Sequence, residues 1–214
     1  MNKNPAWWLT AATILCVPTA ALAQETEDEG LFEEITVTAK KREQNIFEVP
    51  LAISAFSGET IQRQGIKDLT DVGKFVPNLN VTGFSAGHTS SVNPFIRGIG
   101  LQDHLITTDP GVGVYVDGVY LGRQVGQNWS LSNIERVEVL RGPQGTLYGR
   151  NSIGGAINII TRKPSAGEGG TIGFEVGSRG RVNADFFTNV ELAENVAMSI
   201  SGAFKRRNGI GEFL

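Results

Sequence analysis

The sequence has few of the residues that disulfides and metal sites need. Its 214 residues include one cysteine, Cys16, and two histidines, His88 and His104. One cysteine cannot form an internal disulfide or a multi-thiolate metal site, and two histidines argue against a zinc enzyme. The sequence therefore predicts neither a metal site nor a bound cofactor.

Excess positive charge and catalytic motifs are also missing. Lys and Arg number 19 against 22 Asp and Glu, a net charge of −3, whereas nucleic-acid binders are normally basic. The chain has no Gly-x-Ser-x-Gly elbow and no glycine-rich loop ending in Gly-Lys-Ser/Thr. We expect carboxylates such as those of Glu135 and Glu138 to lie on solvated faces rather than to form an acid–base pair. Neither a nucleic-acid partner nor an enzyme is predicted.

Residues 1–23 have the pattern of a cleaved secretory signal. A short apolar stretch ends in Ala21, Leu22 and Ala23, which place small residues where signal peptidase reads them. The alternative is a transmembrane anchor, but Pro18 interrupts the stretch, which is short for a span of about 20 residues. The pattern favours export, followed by cleavage after Ala23 and loss of the only cysteine.

An acidic tail and a short β-prone peptide follow the signal. Residues 24–34 contain six acidic and no basic residues, so we expect them to stay unfolded in solution. Residues 35–39 (ITVTA) favour a strand, and a basic flank follows at 40–42. Such a short strand needs a neighbour. It is either a peptide that adds to the sheet edge of a partner or the first strand of the domain itself, and the pattern alone favours neither.

The body of the chain alternates short strands, short helices and glycine-rich turns. The clearest signal lies in residues 112–121, where two apolar runs flank Asp117-Gly118, a dipeptide typical of tight hairpin turns. The other predicted elements are strands at 50–57, 79–82, 95–97, 134–140 and 156–161, helices at 58–64 and 69–75, and loops at 83–93 and 98–111.

Residues 171–214 change character. Three segments of about ten residues alternate apolar and polar side chains with a period of two. This pattern is typical of transmembrane β-barrel strands, although a soluble antiparallel sheet with one wet face gives the same alternation. The export signal, the strand length and the short turns favour the membrane.

Several motifs resemble one known family. Residues 133–149 (NIERVEVLRGPQGTLYG), continued by 154–161 (GGAINIIT), closely resemble the plug-domain signature of TonB-dependent outer-membrane receptors. Residues 95–98 (FIRG) and 114–119 (VYVDGV) resemble two further plug motifs. Residues 34–39 (EITVTA) resemble the TonB box of the family. The resemblance extends over residues 24–214.

The resemblance implies an α+β fold in the outer membrane of a Gram-negative cell. A small mixed plug domain is expected at 46–164, followed at 171–214 by the first three antiparallel strands of an incomplete transmembrane β-barrel. The signal peptide (1–23) and the acidic tail (24–34) precede the TonB box and its basic flank (34–42). Three strands alone leave open edges, which lipid does not tolerate, so we expect an N-terminal fragment of a longer receptor.

The resemblance also implies active uptake of a scarce nutrient, with ferric siderophores as the commonest ligands of the family. The TonB energy-coupling protein would pair with the TonB box and transmit force to the plug, and outer-membrane lipid would surround the barrel. The acidic tail is expected to keep the TonB box exposed. The residues implied to bind TonB are Glu34, Ile35, Thr36, Val37, Thr38 and Ala39.

Further site residues come from the same resemblance. Arg97 and Arg141 resemble plug arginines that pair with barrel glutamates, which would lie beyond residue 214. The loops at 83–93 and 101–109 are candidates for ligand contact, although each could equally be a solvated loop without a ligand. Their polar side chains include His88, Asp103 and His104.

A second function is compatible with the same residues. A plug made from a truncated gene could remain soluble in the periplasm and sequester the coupling protein as an interaction module. Recovery of the protein from the outer membrane or from the soluble periplasm distinguishes the two functions.

Overall fold

The structure is a computed structural model that describes residues 36–38, 42, 44–83, 91–102, 107–128, 130–165, 169–193 and 196–209. The predictions for the signal peptide and for the acidic tail lie outside the described residues. Among the helices of the described part, none is both long and apolar enough to cross a membrane.

Twelve strands and three short α-helices are found in these residues. The strands are β1 (Thr36–Val37), β2 (Gln44–Asn45), β3 (Ala52–Ser57), β4 (Leu79–Gly83), β5 (Val92–Ile96), β6 (Val112–Val116), β7 (Val119–Tyr120), β8 (Ile134–Arg141), β9 (Gly155–Thr161), β10 (Thr171–Gly177), β11 (Arg181–Ala193) and β12 (Val196–Arg206). The helices are α1 (Gly58–Arg63), α2 (Leu69–Val72) and α3 (Gly145–Tyr148), and 3₁₀ turns lie at Ile46–Glu48 and Leu131–Asn133.

A five-stranded sheet in the order β3-β8-β9-β6-β7, here called the plug sheet, forms the centre of the fold. Strands β6 and β9 pair in parallel and the other neighbours are antiparallel. The predicted hairpin is confirmed, since Asp117 and Gly118 both have positive φ (49° and 81°) between β6 and β7. A primed turn requires this conformation at its two central residues.

Both faces of the plug sheet are covered, so its central strands β8 and β9 are buried almost throughout. On one face, apolar residues of α1, α2 and the β4–β5 hairpin pack against alternate residues of the sheet; this core includes Ile61, Leu69, Val72, Val81, Ile96, Val137, Val139, Ile157 and Ile159.

Capping fixes where the helices begin. The Ser57 hydroxyl accepts from Thr60 N, and the Asp68 carboxylate accepts from Thr70 N.

Some local predictions differ from the structure. Helix α2 ends at Val72 rather than near residue 75, and turns replace its last part. Strand β5 begins at Val92, inside the predicted loop at 83–93, and contains Pro94. Proline is tolerated there because β5 pairs only with β4 among the described strands, as an edge strand. Helix α3 and the two 3₁₀ turns were not predicted.

Strands β10, β11 and β12 form a separate antiparallel sheet, here called the outer sheet. Its outward face carries a continuous set of exposed apolar side chains, namely Ile172, Phe174, Val176, Phe186, Val190, Leu192, Val196, Met198, Ile200 and Phe204. The predicted period of two is therefore confirmed. The predicted α+β class is confirmed as well, while the domain boundaries stay predictions.

The opposite face of the outer sheet meets the rest of the fold. Phe187, which interrupts the apolar–polar alternation of β11, is only 3% exposed. Lys67 Nζ lies 2.7 Å from Glu175 Oε2 and joins the loop after α1 to β10. A cleft between the two parts is lined by residues of both, including Ile134 and Ser201.

Candidate functional site

The predicted TonB box begins the described chain. Of its six residues, Thr36, Val37 and Thr38 are described, whereas Glu34, Ile35 and Ala39 lie outside the described residues. Strand β1 pairs antiparallel with β2, with Thr36 opposite Asn45 and Val37 opposite Gln44. In this structure the short strand therefore pairs within its own chain, as one of the two open interpretations expected.

Val37 is fully buried, which differs from the expectation of an exposed TonB box. Its cluster also contains Val49, Tyr115, Leu140 and Ala156, so the side chain packs on the face of the plug sheet opposite α1 and α2. Thr36, the preceding residue, is exposed. The acidic tail therefore does not by itself keep this strand in solvent, because an apolar site on the plug competes for it.

Glu138 is the main correction to the sequence analysis. It was expected on a solvated face, yet its side chain is fully buried in the second strand of the plug sheet. Cross-strand register places it between Ala55 of β3 and Asn158 of β9. A carboxylate in this position needs partners to replace water, and Arg136 Nε, 3.0 Å from Glu138 Oε1, supplies one.

Thr38 completes the partners of this buried carboxylate. Thr38 N donates to Glu138 Oε1 at 2.7 Å, and the Thr38 hydroxyl donates to the same oxygen at 3.1 Å. Arg136 Nη2 donates to the Thr38 hydroxyl at 3.3 Å, and Asn158 Nδ2 donates to Glu138 Oε2 at 3.3 Å. The described part of the predicted TonB box is thus joined to the plug sheet by a charged hydrogen-bond network as well as by apolar packing.

An open cavity of about 600 Å³ lies beside this network. The three tyrosines of the chain, Tyr115, Tyr120 and Tyr148, all line it. Tyr115 donates to the Tyr148 carbonyl at 2.8 Å, and Asn151 Nδ2 donates to the Tyr120 hydroxyl at 2.8 Å. These contacts fix the aromatic wall of the cavity next to Thr38.

The tyrosine pKa values are raised here. Burial, followed by the charges of Glu138 and Tyr115, raises the pKa of Tyr148 to about 12. Burial also raises the pKa of Tyr115. Both phenols therefore stay protonated at neutral pH; Tyr115 acts as a hydrogen-bond donor, and both rings line the cavity. Within the described residues, no group of three or more His, Cys, Asp or Glu side chains is placed to hold a metal ion.

The two predicted ion-pairing arginines lie near one another. Arg141 Nη1 donates to the Pro77 carbonyl at 3.4 Å, and Arg97 N donates to the adjacent Asn78 carbonyl at 2.9 Å. The Arg97 guanidinium also lies against Gly142, the residue after Arg141. Neither guanidinium forms an ion pair with a carboxylate of the described residues, and Arg141 Nε is buried without a hydrogen-bond partner there.

The predicted ligand-facing residues His88, Asp103 and His104 lie outside the described residues, and their role stays a prediction. Glu138, in contrast, was missed although a signal was available. It alternates with Leu140 on one face of a strand whose other face carries Val137 and Val139. Strands that are apolar on both faces are buried on both, so a carboxylate in such a strand is expected to be buried and paired.

The fold and the site together define a class of protein. A small mixed domain with a docked N-terminal strand packs against an antiparallel sheet whose far face is apolar, as in the plug and first wall strands of an outer-membrane receptor. The TonB-dependent Receptor Plug Domain family matches residues 45–156, just over half of the chain. The chain belongs to the TonB-dependent receptor family and corresponds to the N-terminal part of its members.

Similar proteins agree with this assignment. The vitamin B12 transporter BtuB of Vibrio vulnificus is 32% identical over 204 residues, which cover 93% of this chain and 32% of that protein. The iron-regulated outer membrane virulence protein of Vibrio cholerae is 34% identical over 186 residues, covering 82% of this chain and 28% of that protein. The chain thus spans about a third of the length of these relatives, which are named as a transporter and as an outer-membrane protein.

Solved structures show the same fold. The ferric yersiniabactin uptake receptor FyuA from Yersinia pestis is 27% identical, with a TM-score of 0.62 over 72% of this chain and 24% of that one. The pyoverdine outer membrane receptor FpvA from Pseudomonas aeruginosa is 24% identical, with a TM-score of 0.67 over 86% of this chain and 26% of that one. At 24% identity, the likeness to FpvA supports the fold alone.

Proposed function

We propose that this chain is the plug-bearing, N-terminal part of a receptor that takes up a scarce nutrient across the outer membrane, energised by TonB. Cleavage after Ala23 would deliver it to the periplasm for insertion. A ferric siderophore is the proposed ligand, because one relative is named as iron-regulated and a similar structure is a ferric yersiniabactin receptor. The vitamin B12 transporter among the relatives makes a cobalamin the second ligand to test.

The observation that carries TonB coupling is the short strand at the start of the fold. Strand β1 has one neighbour, β2, among the described strands. Its other edge has no strand neighbour there, so a further strand can add to it once Thr38 N–H is released from Glu138. Strand addition is the usual way in which a sheet edge binds an extended peptide. Residues 34–39 would bind TonB in this way, through backbone hydrogen bonds that can bear load.

The arginines support a plug held inside a barrel. Arg141 Nε is buried without a partner in the described residues, and the exposed Arg97 lies beside it. Arg141 as a whole is only half-buried, but the buried Nε of its guanidinium is left without a counter-charge, which is unfavourable. We propose that barrel glutamates of the complete receptor, beyond residue 214, pair with both arginines and retain the plug.

TonB coupling is tested with Val37→Pro. Proline removes a backbone donor and cannot occupy the interior of a paired strand, so the complete gene product should lose TonB binding and growth on the ferric siderophore. Affinity for the purified C-terminal domain of TonB, measured in detergent, should fall at least about tenfold.

Val37→Ala is the matched control, because it shortens the same side chain and keeps the backbone donor. It should retain TonB binding. If Val37→Pro binds TonB as the unchanged protein does and still supports uptake, strand pairing at residues 34–39 is not the coupling mechanism.

A further inference from the structure

The carboxylate of Glu138 lies beneath the TonB box in an environment built to hold a negative charge. Arg136 donates to it from the same strand, and Asn158 donates to it from the neighbouring strand. Arg136 is itself only 12% exposed and also pairs with Glu135. All of these partners come from the plug sheet, so the carboxylate is oriented whether or not the TonB box is present.

Thr38 supplies the remaining hydrogen-bond donors of the Glu138 carboxylate. Its backbone N–H and its hydroxyl both donate to Glu138 Oε1, and hydrogen bonds to an ionised acceptor are the stronger kind. The hydroxyl accepts from Arg136 at the same time. A side chain that both donates and accepts fits between a carboxylate and a guanidinium, whereas an apolar side chain of the same size does not.

We propose that Glu138, together with Arg136 and Asn158, forms a recognition site on the plug for Thr38 and thereby holds the TonB box in a docked form. Val37 adds apolar affinity through its buried cluster. Glu138 is thus a positioning residue, which acts on the coupling strand without contacting TonB. The inference rests on the proposed function only in taking residues 34–39 as the TonB box.

The docked form lowers the affinity for a partner strand. While Thr38 N–H is bonded to Glu138, it cannot pair with another strand, and Val37 is out of solvent. The observed affinity for a partner is reduced in proportion to the fraction of molecules whose strand is released. Weakening the Glu138–Thr38 contact should therefore expose Val37 and strengthen TonB binding.

Thiol labelling measures docking without TonB. Residues 24–214 contain no cysteine, so Val37→Cys is a single reporter once any cysteine elsewhere in the complete gene product is replaced by serine, and it is small enough for the apolar cluster. In the complete gene product, purified in detergent, Thr38→Val removes the hydroxyl bond to Glu138 and keeps the backbone one. It should raise the maleimide labelling rate of this reporter about tenfold, the contribution of one hydrogen bond to a charged acceptor. Glu138→Gln should raise it as well.

Thr36→Val is the matched control. It makes the same change two residues earlier, at an exposed position of the same strand, and should leave the labelling rate of the reporter unchanged. TonB binding by Thr38→Val, measured without the cysteine, should strengthen in parallel with labelling.

Two outcomes separate this inference from the proposed function. If Thr38→Val labels no faster than Thr36→Val, the recognition site is refuted, even if Val37→Pro still abolishes coupling. If Thr38→Val labels faster but no variant binds TonB, docking stands and the proposed coupling fails. Should Glu138→Gln not assemble, Thr38→Val alone decides, because it leaves the buried Glu138–Arg136 pair intact.

Discussion

The phenol of Tyr148 lies edge-on against the ring of Tyr115, with 4.9 Å between ring centroids, on the wall of the cavity beside the TonB box. Its phenolate is disfavoured first by burial and then by the charge of Glu138. Ionisation is therefore harder in the folded protein than in the unfolded chain. The protonated phenol contributes stability that is complete below the ordinary pKa of 10.0 and is lost as the pH rises towards about 12.

The raised pKa of Tyr148 can be tested by titration. The difference in ultraviolet phenolate absorbance between the unchanged protein and Tyr148→Phe should have its midpoint near pH 12, because only the fold raises the pKa of this group. The same difference measured in denaturant should have its midpoint near the ordinary value. A midpoint near the ordinary value in the folded protein would show that the Tyr148 phenol is not buried in this wall of the cavity.

At the scale of single elements, the alternation of the outer sheet predicts which of its two faces contacts lipid. Neighbouring residues of β12 point to opposite faces; Met198 belongs to the exposed apolar set, and Ala197 lies opposite Glu191 of β11. A lysine on the lipid face of a membrane strand costs about 2–4 kcal/mol at mid-depth, whereas a polar side chain on the inner face is tolerated.

Met198→Lys should therefore impair assembly into the outer membrane, while Ala197→Lys, with Glu191 as its cross-strand partner, should assemble normally. The measurement is the amount of each variant recovered in the outer-membrane fraction. Equal recovery of the two variants would contradict a lipid-facing outer sheet.

The elements also show which parts of the fold the sequence could predict. Local rules were sufficient for the Asp117-Gly118 hairpin and for the period-two strands β10–β12, because turn chemistry and alternation act between near neighbours. The pattern of β8 held a signal for the burial of Glu138 that was missed, but no local rule identifies its partner Thr38, which lies 100 residues away. The burial of Phe187 likewise depends on segments distant in the chain. For the site, the resemblance predicted a TonB box at residues 34–39, whereas the contact of Thr38 with Glu138 is seen only in the tertiary structure.

At the scale of the whole molecule, the outer sheet favours the membrane receptor over the soluble module, the two functions considered from the sequence. A soluble periplasmic module would leave its large aromatic and aliphatic side chains in water, and exposed apolar patches of this extent mark interaction surfaces or promote aggregation. We therefore predict that the complete gene product fractionates with the outer membrane. Recovery as a stable soluble periplasmic protein would instead support the interaction module.

The register of the β1–β2 hairpin has a mechanical consequence. Because Thr36 lies opposite Asn45, tension applied to the chain before Thr36, with the plug held after Asn45, acts at the open end of the hairpin. Its hydrogen bonds then break in succession, as in unzipping, rather than together, as in shear. Thr36 separates first, and the contact of Thr38 with Glu138 bears the load once β1 has parted from β2, so the tension then acts on the plug sheet through Glu138.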